Sequence, residues 1–330
     1  MEVKYTKKGQ KKMGRRGKRS TKGQNRKIIG LILTLVVIVL IAIGANPKVI
    51  NTISEIAGLN ITVNETQTQN NTENQIENQN TQVPAGENLV IDYIDVGQAD
   101  SILITTQDKA MLIDAGNNGD GDDVVEFIKS KGITKLDYVI GTHPHEDHIG
   151  GMDDVIKNLD IGTIYMPTIT TNTKTYEDVI TEIENKNLQI SESKKGDTFL
   201  LGNANCEFMT DSILDKNNLN LSSIITRITF GNTSFLFMGD AETENEETRK
   251  WPKTDVLKVG HHGSDTSSSE EFLKQISPKI AVISVGKDND YGHPSDETIK
   301  KLQNLGATIY RTDELGTIEL VSNGNNIIRK

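Results

Sequence analysis

The stretch Thr142-His143-Pro144-His145-Glu146-Asp147-His148-Ile149-Gly150-Gly151 places three of the chain's six histidines and an aspartate within six residues. It follows the apolar run at 136–140 and precedes a helix-like segment, so these side chains occupy a strand-to-helix loop. A divalent ion takes neutral imidazole nitrogen and carboxylate oxygen at about 2.0–2.2 Å, and a tight loop can aim alternate side chains inward. The spacing assigns His143 and His145 to one ion and Asp147 and His148 to a second. Two ions close together form a clamp for hydrolysis: they lower the pKa of a bridging water and stabilise the attacking and leaving oxygens together. A lone loop histidine is ordinarily a polar surface or packing residue; four ligand types in this pattern are not.

The remaining histidines are not scattered. His261 and His262 lie in Val256-Leu257-Lys258-Val259-Gly260-His261-His262-Gly263-Ser264, and His293 in Tyr291-Gly292-His293-Pro294. Each follows a short apolar run, at 255–259 and 280–285, that predicts a buried strand. Between them and the first cluster, Ser234-Phe235-Leu236-Phe237-Met238-Gly239-Asp240 is another apolar strand ending in Gly-Asp. Four strand ends therefore each deliver a ligand-type residue. In a layered α/β fold, loops beyond the strand ends are where ligands bind.

The ordered set His-x-His-x-Asp-His, Gly-Asp, His-His-Gly-Ser and Tyr-Gly-His-Pro resembles the metallo-β-lactamase-fold hydrolases, and within them the soluble domain of ComEC-type competence proteins. Supporting pieces are Asp95-Val96-Gly97-Gln98-Ala99-Asp100-Ser101, Leu112-Ile113-Asp114-Ala115-Gly116, Phe237-Met238-Gly239-Asp240-Ala241-Glu242 and Ile283-Ser284-Val285-Gly286. The likeness runs from about Leu89 to about Val321 and implies an αββα sandwich holding two divalent ions, Zn or Mn; the first-row affinity order does not select between them. It implies that Asp240 bridges both ions and that His293 completes the shell of the second. Of His261 and His262, one binds metal or donates a proton to the leaving group; Asp147, His261 and His262 are the catalytic candidates. Asp95 and Asp114 are expected to orient loops or ligand histidines from behind, and Ser264 to contact substrate or shape a turn. Asn220 and Ser223 read equally well as turn residues.

One departure bears on the reaction. Many dinuclear members take a third histidine for the first ion from a loop before the bridging aspartate, and no histidine lies between His148 and His261. That argues against a thioesterase of the glyoxalase II kind and a typical RNase Z, and lactamases generally lack the His148-type partner and the bridging aspartate; either the first ion is held more weakly or His261 or His262 supplies the missing ligand.

The elements that must position these residues begin near residue 88. The runs at 89–96, 101–104 and 110–114 predict three strands in an antiparallel meander. Residues 122–131 predict a helix with Val124, Val125, Phe127 and Ile128 on its apolar face, ended by Gly132. Later strands are expected at 224–230, 234–238 and 255–259. A further helix carries Phe272, Leu273 and Ile276, entered through Ser268-Ser269-Glu270-Glu271 as a capping box. Cys206, the only cysteine, reads as a buried small apolar residue.

Ahead of this domain the composition changes twice. Residues 1–27 carry twelve Lys/Arg and one acid, Glu2, and read as a basic cytoplasmic tail. Residues 28–45 are apolar and uncharged, long enough for a transmembrane helix. The basic flank places the N-terminus in the cytoplasm and the rest outside. A cleaved signal peptide is the alternative, giving a secreted protein, but its apolar region is usually shorter. Residues 46–87, rich in Asn, Gln and Thr, read as a disordered tether, followed by the hydrolase domain at 88–330.

From residue 88 onward there are 23 Lys/Arg against 40 Asp/Glu, a net of −17. Polyanion binding normally rests on a basic footprint, so the phosphodiester chemistry implied by the resemblance needs another source of affinity: the ions themselves or a groove lined by Lys194, Lys195 and Lys258. The expectation is a membrane-anchored phosphodiesterase acting outside the cytoplasm on nucleic acid or a phosphate-bearing envelope component. One spanning segment provides no transport channel. The alternatives are a tethered binding module without turnover and a hydrolase of carboxyl esters or amides.

Overall fold

The computed structural model of this chain describes residues 86–210 and 215–330. The basic tail, the expected membrane span at 28–45 and all but the last two residues of the expected tether lie outside the described residues. No described helix is long and apolar enough to cross a membrane.

The meander forms as expected. Strands β1 (Leu89–Tyr93), β2 (Ser101–Thr105) and β3 (Ala110–Ala115) pair antiparallel in order. After helix α1 (Gly121–Ser130) the pairing changes: β4 (Lys135–Ile140), β5 (Asp160–Tyr165) and β6 (Ile190–Ser191) add in parallel. Their crossovers carry α2 (Glu146–Ile149), α3 (Met152–Asn158) and α4 (Lys174–Asn185). The second half repeats the scheme. Strands β7 (Thr198–Leu201), β8 (Ala204–Phe208), β9 (Thr226–Phe230) and β10 (Thr233–Phe237) are antiparallel. Helix α5 (Thr243–Glu246) leads to β11 (Val256–Lys258), α6 (Glu270–Ile276) to β12 (Ile280–Ile283), and α7 (Asp296–Asn304) to β13 (Thr308–Arg311), all three strands parallel to β10. Past α8 (Thr312–Leu315), β14 (Ile318–Ser322) crosses back to pair with β1, and β15 (Ile327–Arg329) closes that edge.

The result is an eight-stranded and a seven-stranded sheet with three apolar layers. Ile91, Tyr93, Ile102, Ile113, Phe208, Phe230, Phe235 and Phe237 fill the space between the sheets. Val124, Ile128, Met152, Val155, Val179 and Ile183 seat α1, α3 and α4 on the outer face of the first sheet. Phe272, Leu273, Ile276 and Leu302 seat α6 and α7 on the second. This is the αββα sandwich. Cys206 sits fully buried in the middle layer, and burial pushes its thiol far above the ordinary range.

The capping box does not form. Ser269, not Ser268, caps α6 by accepting the Phe272 N–H, and the buried Glu246 carboxylate takes the N–H groups of Ser268 and Ser269 at 2.6 and 2.9 Å. A carboxylate from another segment thus does what Glu271 was expected to do locally.

Three chain segments are laced together at one end of the first sheet. The Gly116 N–H donates to Asp100 O, the Asp100 N–H to Asp147 O and the Gly150 N–H to Gly116 O. The lacing demands close approach at Gly150 and Gly151. A Cβ on Gly150 would stand 2.2 Å from the carbonyl carbon of Asn117, and one on Gly151 2.4 Å from Ala115 O. Gly150→Ala and Gly151→Ala are each expected to cost about 3 kcal/mol, the upper end for overpacking, because backbone and not a side chain would have to move. Gly119→Ala, facing open space, should stay within about 0.5 kcal/mol. Denaturant midpoints of the three variants check this.

Candidate metal centre

Every parallel strand that ends near the lacing contributes to one cluster. The β3 end supplies Asp114, the loop after β4 supplies His143 to His148, the β10 end Asp240, and the β11 end His261 and His262. Three of these residues sit in the left-handed backbone region: Asp114 at φ 58°, His261 at φ 49°, ψ 48° and His262 at φ 50°, ψ 23°. Each such non-glycine conformation costs about 1–3 kcal/mol, a strain that clusters at functional sites.

Asp240 stands at the centre, 2% exposed. Its Oδ1 lies 3.2 Å from His148 Nε2 and 3.5 Å from His262 Nε2. Its Oδ2 lies 3.8 Å from the Nε2 atoms of both His143 and His261. Asp147 Oδ2 is 3.2 Å from His262 Nε2 and 3.8 Å from His148 Nε2. Around Asp240 two groups of ligand atoms result, each within 4.8 Å: Asp147, His148, Asp240 and His262; and His143, His145 and Asp240. They share Asp240, and a third group, Asp100, Asp114 and His148, lies behind them.

The partners behind the imidazoles fix which nitrogens are bare. Asp114 is fully buried and accepts from the Thr142 N–H and hydroxyl, each at 2.8 Å. Its Oδ2 also lies 2.8 Å from His148 Nδ1, so the proton sits on Nδ1 and the Nε2 lone pair faces Asp240. His262 Nδ1 lies 3.0 Å from Ser284 O; a carbonyl only accepts, so the Nδ1 proton is committed there and Nε2 faces Asp147 and Asp240. The Thr142 hydroxyl, having donated to Asp114, accepts from His143 Nδ1 at 3.2 Å, so His143 Nε2 accepts from His145 Nδ1 at 2.9 Å. The Nε2 atoms of His148 and His262 face carboxylate oxygens. His148 Nε2 and Asp240 Oδ1 are both buried without a hydrogen-bond partner. A carboxylate oxygen facing an imidazole nitrogen is satisfied by a proton or a metal ion between them, and the donor set of imidazole nitrogen and carboxylate oxygen fits a divalent ion.

The electrostatics agree. Burial works against a charged His148, yet Asp240, Asp147 and Asp114 together raise its pKa well above the usual value. Burial likewise opposes ionisation of Asp240, but His148, His262 and His143 hold its carboxyl well below the usual range. His143, buried beside His148, is pushed well down and is neutral. The field that draws a proton to His148 draws a divalent ion by the same attraction, and ion binding displaces the proton.

His293 lies outside both groups. Its ring packs edge-on against His261 at 5.4 Å, and His262 occupies the place expected of it. Asp95 does not reach the cluster: it is exposed and accepts the Gly97 N–H in its own turn. The residue of that loop that does the backing is Asp100, 1% exposed, 3.6 Å from His262 Nδ1 and paired with Lys258 Nζ at 2.7 Å. Lys258 is therefore fully buried and lines no surface groove. Lys194 remains exposed but is held by Glu192 at 3.0 Å. Ser264 is also buried, its hydroxyl 3.2 Å from Thr266 Oγ1, and it does not line the cleft.

Residues given no role in the sequence reading complete the surroundings. Glu242 Oε1 lies 3.2 Å from His261 Nδ1 and accepts from the Thr266 hydroxyl at 3.0 Å. Asn220 Nδ2 stands 3.3 Å from both Glu242 Oε1 and His261 Nε2. Ser223 accepts the Asp240 N–H at 3.1 Å. Glu242 follows Asp240 in the Gly-Asp motif, so its proximity was legible; Asn220 and Ser223 carried no signal beyond an ordinary turn. The cluster opens into a cleft of about 490 Å³, lined by Gln98, Asn117, Glu146, Asn220, Tyr291 and His293 beside the ligand residues, with no Lys or Arg among the lining.

Comparison with known proteins follows the same motifs. The metallo-beta-lactamase superfamily pattern matches residues 94–287. ComE operon protein 3 of Bacillus subtilis is 33% identical over 251 residues, covering 69% of this chain and 32% of that protein. Recombination protein 2 of Haemophilus influenzae is 29% identical over 237 residues, with 70% and 28% covered. Competence protein ComA of Neisseria gonorrhoeae is 29% identical over 243 residues, with 72% and 33% covered. The chain thus spans about a third of the length of these relatives, and its similarity to them is the ComEC-type likeness its motifs carry. Sandwich, ligand cluster and family pattern coincide on the same residues: the chain belongs to the metallo-beta-lactamase superfamily of metal-dependent hydrolases.

Proposed function

We propose that this chain is a phosphodiesterase of the nuclease type, using two divalent ions, Zn or Mn. It is anchored by residues 28–45 with its catalytic domain outside the cytoplasm, where nucleic acid or a phosphate-bearing envelope component is its substrate. The observation that carries the reading is the arrangement around Asp240, whose two oxygens each face two imidazoles. His143, His145 and Asp240 would hold one ion; Asp147, His148, His262 and Asp240 the other. A pair of ions bound there supplies Lewis-acid chemistry, activating water and stabilising charge on both oxygens of an in-line displacement.

The chain's own groups do the rest. Asp114 and Ser284 O lock the tautomers of His148 and His262, as partners behind metal-ligating histidines do. His261 is left outside the two ligand groups, with Nδ1 held by Glu242 and Thr266 and Nε2 turned toward the Asp240 side of the cleft. Glu242 and Thr266 fix the ring's orientation, and His261 is the chain's group placed to serve the departing oxygen as a general acid. Among the described residues no basic side chain lines the cleft, which agrees with a substrate held through its phosphate by the ions.

Metal-stripped protein should be inactive on bis-p-nitrophenyl phosphate and single-stranded DNA and regain turnover with Zn or Mn. Turnover of carboxyl esters but no phosphodiester would replace this reading, and no turnover with two ions bound would favour a binding module. His261→Gln should lower kcat by about 10²-fold on DNA, whose leaving alkoxide needs a proton, and far less on bis-p-nitrophenyl phosphate, whose leaving phenolate does not. Equal losses on both would make His261 a ligand instead. Asp114→Asn should weaken metal affinity by about 10- to 100-fold, read by chelator competition.

A further inference from the structure

The loop joining β12 to α7 is built to hold one ring at the mouth of the cleft. Asparagine side chains often close their own turns, but here a single amide, that of Asn289, ties the whole loop. Its Nδ2 donates to Gly286 O at 3.0 Å and His293 O at 2.6 Å, and its Oδ1 accepts the N–H groups of Tyr291 and His293, each at 3.1 Å. The Gly286 N–H in turn donates to Gln98 Oε1 at 3.0 Å, docking the loop on the segment before β2. Tyr291 is thereby fixed through its backbone, while its side chain is left 73% exposed.

Single exposed apolar side chains are common on protein surfaces. Three observations set this one apart. Among the large hydrophobic side chains left exposed in the described residues, Tyr291 is the most exposed and the only aromatic. Its ring stacks on His293, centroids 5.9 Å apart and planes 25° from parallel, and His293 meets His261 edge-on at 5.4 Å. A row of rings therefore runs from solvent to the histidine 3.8 Å from Asp240. Among the described residues the cleft lining also has no Lys or Arg, so charge pairing with lining side chains is not what these residues offer a polyanion. An exposed aromatic ring at the mouth of the cleft offers a contact that needs no charge, because every base has a π-face to stack.

We propose that Tyr291 is a stacking platform for an unpaired base of the substrate, and that it directs the enzyme to base-bearing single strands. This rests on the phosphodiesterase reading. A duplex keeps its bases stacked on one another, and an abasic strand has none to offer, so both lose this contact.

The test uses the full metal-loaded chain on a single-stranded oligodeoxynucleotide and an abasic oligomer of equal length, with bis-p-nitrophenyl phosphate to establish diester turnover by the unaltered protein. The unaltered protein should prefer the base-bearing strand by about tenfold in kcat/KM, expressed in KM, in keeping with about 1–3 kcal/mol per stacked base. Tyr291→Ala should bring that ratio to about one, and Tyr291→Phe should keep it. A preference that survives Tyr291→Ala, or none in the unaltered protein while bis-p-nitrophenyl phosphate is cleaved, overturns the platform alone. Cleavage of no diester overturns the phosphodiesterase reading and the platform with it.

Discussion

Four carboxylates, Asp100, Asp114, Asp147 and Asp240, converge on histidines whose far nitrogens are already committed to other partners. Three of the four are essentially out of contact with water, where unbalanced charge costs several kcal/mol per ion even after relaxation. Asp100 is balanced by the buried Lys258. Asp114 is met by the Thr142 donors and His148 Nδ1, and Asp147 and Asp240 face imidazole Nε2 atoms. The arrangement is stable as a place for positive charge, and the strand ends, the glycine contacts and the left-handed backbone at Asp114, His261 and His262 all serve to hold it.

The duplicated architecture explains how distant segments meet there. Each half of the chain runs an antiparallel meander into a parallel set of strands, and the two sheets face one another across a common apolar layer. The parallel strands of both halves end toward the same side. His143 to His148 come from the first half, Asp240, His261 and His262 from the second. The two groups around Asp240 each need both halves, because each joins Asp240 to residues of the loop after β4.

Much of this was legible because metal ligands obey local rules. A histidine directly after an apolar run announces a strand-end loop whatever the rest of the chain does, which is why His143, His145, His148, His261 and His262 could be picked out together. Backing residues obey no such rule. Asp95 and Asp100 lie in one motif, and only the loop's path shows that Asp95 turns outward while Asp100 enters the interior beside Lys258. Lys258 itself looks like a surface base in a one-dimensional reading, yet it is fully buried. His293 follows a strand and precedes a proline as a ligand would, but the loop pinned by Asn289 carries it to the side, against His261. The cap of α6 was misplaced for the same reason: Glu246, far away in sequence, accepts the bonds that a local capping box would have made.

The central claim is that Asp240 joins two ion sites. Counting metal per chain after loading with Zn or Mn and removing loosely bound ions tests it most directly, in the unaltered protein, in Asp240→Ala and in His262→Ala. The account predicts two ions in the unaltered protein, one retained in His262→Ala and neither retained in Asp240→Ala, with circular dichroism showing all three folded. A folded Asp240→Ala that still holds two ions, or an unaltered protein that holds none, would contradict it.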